Sequence, residues 1–132
     1  MFGDRLTRDE SLALVDLLVF LAHADGRVDP QEVAFIEAFA AAHGVPASID
    51  APPVDLELAA SRFTSRTAKV VALQELVRIG LCDGSFHDAE RRGVERIAAA
   101  CGLEPEIVPV VETWVRDGLA WVARGEAMLT TA

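Results

Sequence analysis

The sequence predicts an all-α protein, a compact bundle of about six to seven helices with an internal pseudo-two-fold repeat. Three observations carry this. Apolar residues recur at helical spacing, and no segment alternates with a period of two. Most glycines and prolines fall between the periodic segments. The stretch Leu18–Gly44 realigns with Leu76–Gly102 at an offset of 58 residues, without a gap and with ten of 27 positions identical.

The elements follow in order. Thr7 and Glu10 have the spacing of a capping box, and Leu12–Ala24 is apolar almost all round, as a central helix covered by neighbours would be. Asp25-Gly26 stops it. Asp29, Pro30 and Glu32 start a second helix whose stripe is Val33, Ile36, Phe39 and Ala40, and Gly44 ends it. Residues 45–54, with Pro46, Pro52 and Pro53, read as a loop within the domain. A short helix is expected from Asp55 to about Phe63. Thr64 or Ser65 then opens a long apolar helix that runs to Asp83-Gly84. Asp88–Cys101 places Val94, Ile97, Ala98 and Cys101 at core spacing and stops at Gly102. The last helix starts near Pro105, with Pro109 as a candidate break in its first turn. Its stripe is Val111, Val115, Gly118 and Val122, and Trp114 and Trp121 stand seven apart on the edge of that face, as core or edge anchors.

With 132 residues and 14.2 kDa the chain makes one domain, residues 1–132, whose repeat halves are about 8–54 and 64–126. Twelve basic residues against 21 acidic ones give a net charge of −9. Nucleic-acid binding draws its affinity from phosphate neutralisation by Lys and Arg, so that class is excluded, and anionic membrane surfaces are disfavoured by the same sign. No stretch has the length of a bilayer span or the order of a signal peptide. Cys82 and Cys101 are too few for a disulfide scaffold and read as buried thiols, which fits a reduced, cytoplasmic setting.

The duplicated motif carries the chemistry. It reads Asp25-Gly26-Arg27-Val28-Asp29-Pro30-Gln31-Glu32 and, 58 residues on, Asp83-Gly84-Ser85-Phe86-His87-Asp88-Ala89-Glu90. Acid, glycine, apolar residue and glutamate match the second half of an EF-hand calcium loop; its first half is missing, because Leu21, His23, Ile79 and Leu81 occupy those positions. Neither loop can build a full oxygen cage alone, whereas two loops brought together by the repeat could hold a cation. The competing reading makes the motif a helix stop followed by a capping box. Aspartates at two helix carboxyl ends oppose the macrodipole, which calls for a compensating cation or hydrogen bond. His23 and His87 with Asp25 and Asp83 could also form a mixed nitrogen–oxygen site for zinc.

The ADGRVDPQE and CDGSFHDAE segments, each after an apolar helix, resemble the tellurite-resistance TerB-like domain family over roughly residues 8 to 126. The resemblance implies an all-α bundle with internal pseudo-symmetry and a divalent-metal site built from the loop acids. It implies stress- and tellurite-linked modules that are not enzymes. Position by position the matching acids are Asp25, Glu32, Asp83 and Glu90, with Asp29 and Asp88 looser candidates; His87 departs from the small or acidic residue more usual there. The expectation is thus a non-catalytic divalent-cation module, with calcium, magnesium or manganese favoured over zinc. The alternative is a metal-free helical domain that binds a protein partner. No nucleophile or acid–base constellation supports an enzyme.

Overall fold

The computed structural model describes residues 1–50 and 54–130, which are all-helical and contain no strand. After a 3-10 turn at Gly3–Arg5 come α1 (Arg8–Ala22), α2 (Pro30–His43), α3 (Leu56–Ala60), α4 (Arg66–Gly80), α5 (Asp88–Ala100) and α6 (Ile107–Thr130). Pro52 and Pro53 of the expected loop lie outside the described residues.

Local chemistry sets the starts. The Thr7 hydroxyl accepts from the Glu10 amide at 3.2 Å while Glu10 accepts from the Thr7 amide at 2.8 Å, the reciprocal box that fixes α1. Asp29 and Glu32 do the same for α2, with Pro30 in its first turn. Asp55 caps α3 and Ser65 caps α4 through the Ala68 amide at 3.1 Å. Gly44 ends α2 in the left-handed conformation, at φ 64°.

The apolar helices α1 and α4 pack on each other at the centre; α2, α3 and α5 cover α1, and α5 and α6 cover α4. Leu14, Leu17, Leu18, Leu21, Leu73, Leu76 and Ile79 are fully buried between them. The bounds of α1 recur 58 residues later as those of α4, and α2 and α5 begin at the same offset.

Several expectations need correction. Pro109 does not split α6, because at its third residue the missing N–H is one that a helix start leaves unbonded anyway. The α6 stripe is buried only at Val108, Val111 and Val115. Gly118 and Val122 are exposed, because the helix runs on past the body it packs against. Trp114 and Trp121 are 38% and 70% exposed, so neither is a core residue. Arg91 and Arg116 both bond Glu112, and the Arg91 pair fastens the docked half of α6 to α5. Among the described residues no helix is long and apolar enough to cross a membrane.

Candidate functional site

Both Asp-Gly loops turn through a glycine at positive φ, Gly26 at 83° and Gly84 at 91°, where any side chain is strained. The aspartate before each glycine folds back on its own loop. Asp25 Oδ1 accepts from the Arg27 amide at 3.1 Å, and Asp83 Oδ1 from the Ser85 amide at 3.0 Å. These bonds compensate acids that stand at helix carboxyl ends. Two residues after Gly84, Phe86 is buried and packs so tightly on Gly80 that a Cβ there would meet its ring at 2.8 Å.

The glutamates point inward. Glu32 Oε1 accepts from the Asp29 amide at 2.9 Å and Glu90 Oε1 from the His87 amide at 3.3 Å. Both side chains are buried, with 6% and 4% exposure, and their carboxyls are in hydrogen-bonding contact. Of the four acids singled out by the motif, Glu32 and Glu90 therefore meet across the two loops. Asp25 and Asp83 stay exposed, each engaged by its own loop.

Two buried carboxylates in contact cannot both ionise cheaply. Burial raises both, and it takes Glu90, beside the negative Glu32, to about 7. The Asp29 amide and the hydrogen bond from Glu90 act against that rise at Glu32, and the two carboxyls titrate as one coupled pair. His87 is raised by its hydrogen bond to Asp83, at 3.4 Å, and also by the charges of Glu90 and Asp25, so the loops sit side by side at one end of the bundle.

Cys82 marks the same negative focus. Its thiol is pushed up to about 12 by burial and by Glu32, Asp83, Asp29 and Glu90 in turn. It is half-buried where full burial was expected; Cys101 is buried, and burial raises its thiol too. The residue that sequence reasoning missed is Glu75, 1% exposed and paired with Arg78 at 2.8 Å and the Met1 amino group at 3.0 Å. Its signal was an acid three residues before an arginine inside an apolar run.

Among the described residues no three His, Cys, Asp or Glu side chains are placed to hold a metal ion. His23 bonds the Ile49 carbonyl oxygen at 2.8 Å. The all-oxygen donor set suits a hard cation such as calcium, magnesium or manganese. Asp25 and Asp83 each use Oδ1 on their own loop amide, and Glu90 must give up its proton to ligate a cation. No protein-family model, no curated protein and no solved structure matches the chain.

Proposed function

We propose that the chain is a non-catalytic, TerB-like module whose two loops, related by a pseudo-two-fold axis, act as one divalent-cation site. Glu32 and Glu90 form its centre, and Asp25 and Asp83 swing in from the rim. The supporting observation is the buried contact between the Glu32 and Glu90 carboxyls. A like-charged pair in a low-dielectric setting is unfavourable alone and becomes favourable around a cation. The link to tellurite or metal stress comes from the resemblance, and a cytoplasmic setting from the two free thiols.

The test is a thermal melt of chelator-stripped protein with calcium, magnesium, manganese or zinc. Free metal at 100 times its dissociation constant stabilises by about 2.7 kcal/mol, on the order of 10 °C for a chain of this size. Glu32→Gln combined with Glu90→Gln keeps the amide acceptors, melts no lower than wild type without metal, and loses most of the shift. A wild-type melt unmoved by all four cations rejects the reading.

A metal-free interaction domain is the second reading. It is favoured by the fact that Asp25, Glu32, Asp83 and Glu90 each already accept from a backbone amide. It predicts no metal shift in either protein.

A further inference from the structure

The carboxyl-terminal half of α6 is open to solvent. Every residue from Arg116 to Thr130 is exposed, although its heptad seam continues the buried one. Val108, Val111 and Val115 pack on the body, and the same three- and four-residue steps lead on to Gly118, Val122, Gly125 and Leu129. Trp114, Trp121 and Met128 run beside the seam at seven-residue spacing and are 38%, 70% and 76% exposed. Leu119 and Leu129 add 49% and 85%. Fifteen residues form a marginal helix in water without a packed face.

The glycines sharpen this. Gly80 lies against the Asp-Gly loop and Gly93 against α1: a Cβ would meet Phe86 at 2.8 Å and Leu21 at 2.7 Å. Gly118 and Gly125 lie on the α6 seam, and a Cβ on either meets nothing within 4 Å. Glycine inside a helix costs about 1 kcal/mol against alanine, and among the described residues no close contact compensates for that at these two positions. Close approach of another helix would.

A groove of about 670 Å³ lies alongside, with Trp114, Trp121 and Val122 of α6 on one wall and Phe35, Arg78 and Cys82 on the other. We propose that this groove takes the α6 half-helix of a second copy of the chain, antiparallel to its own, and that the two copies exchange these helices in one isologous dimer. Three observations select a second copy. The face that needs a cover is itself a wall of the groove, as a self-complementary two-fold contact requires. The charges of the half-helix, Arg116, Asp117, Arg124 and Glu126, cancel in a chain of net charge −9. With the axis at Trp121, reversal sets Arg116 level with the second copy's Glu126 and Asp117 near its Arg124. The exposed apolar side chains offer on the order of 700 Å², against about 800 Å² per partner in a standard stable interface and more than a monomer usually leaves open.

The inference is independent of both readings of the Asp-Gly loops, so it is tested in chelator with the full chain. Sedimentation velocity of the wild type gives twice the 14.2 kDa chain mass at concentrations up to about 200 µM and dissociates on dilution. Trp121→Glu replaces an exposed anchor, leaves the helical signal of the monomer intact, and weakens the dimer by about 100-fold or more. Gly118→Leu and Gly125→Leu have opposite effects on the two states. They raise the melting temperature of the monomer, where the added Cβ meets none of the described residues within 4 Å, and weaken the dimer at least about tenfold by keeping the helices apart. A wild type that stays monomeric throughout overturns the proposal and leaves the groove to another kind of partner. A dimer indifferent to Trp121→Glu and to both leucine variants also overturns it, by placing the interface elsewhere.

Discussion

The two Asp-Gly loops share a backbone and differ at one cap. In the first, the Asp29 carboxylate caps α2 through the Gln31 amide at 2.7 Å, and its own amide reaches Glu32 at 2.9 Å. In the second, His87 stands in that place and turns its ring to Asp83, and its amide reaches Glu90 at a longer 3.3 Å. The glycine at positive φ and the buried glutamate are common to both. Both caps therefore bear on one coupled pair of glutamates. Burial raises both glutamates, Glu90 to about 7, while the Asp29 amide works against the rise at Glu32 and the His87 amide against it at Glu90.

The largest effect that tests this comparison is a pH dependence of stability. Glu90 titrates near 7 in the folded protein against 4.5 for the free side chain, so the folded state holds an extra proton between those values. Stability from this group is therefore full below 4.5 and is lost as pH rises through about 7. His87, also raised, acts in the same direction. Wild type is expected to lose on the order of 2 kcal/mol between pH 5 and pH 8, read from urea midpoints. Glu90→Gln keeps an acceptor for the His87 amide and a donor for Glu32, flattens most of that slope, and is more stable than wild type at pH 8. Glu32→Gln flattens it too, because Glu90 loses its charged neighbour. A slope unchanged in both variants would mean that the pair does not share a proton.

Next come the features common to both loops. Gly26→Ala and Gly84→Ala each force a side chain into the left-handed region and are expected to cost about 1 to 2 kcal/mol, alike within error. Unequal losses in urea titrations would show that the two turns are not equivalent. The smallest effect lies where the loops differ. Asp29→Ala removes a working cap and costs about 1 kcal/mol, whereas His87→Ala costs less than that, because its exposed pair with Asp83 is weak. Equal losses at the two caps contradict the assignment of different jobs to them.

What was legible in the sequence is what is local. The Thr7–Glu10 and Asp29–Glu32 boxes, the glycine stops and the 58-residue offset depend on spacings of a few residues or on self-comparison, and α1, α2, α4 and α5 follow them. The end of α6 was not legible. A stripe at helical spacing is the same whether its cover comes from the same chain or from another, so Gly118 and Val122 read as core and are exposed. At the site, the offset hinted that Glu32 and Glu90 correspond. Their contact, and the turning of Asp25 and Asp83 toward their own amides, depends on how far apart the packed helices hold the loops, which no local pattern encodes. Cys82 read as a buried thiol, and its position beside both acid pairs appears only once the loops are together.

The most direct test of the paired carboxyls as a cation site is the proton released when a cation binds. Calorimetric titration with calcium, magnesium or manganese at pH 6, in two buffers of different ionisation enthalpy, counts that proton. Because Glu90 is protonated below about 7 and must ionise to ligate, close to one proton is expected per cation bound at pH 6, falling toward none by about pH 8.5. Affinity should rise over the same range, and Glu90→Gln should abolish the release. No binding heat with any of the three cations, or binding that releases no proton at pH 6, would contradict the assignment.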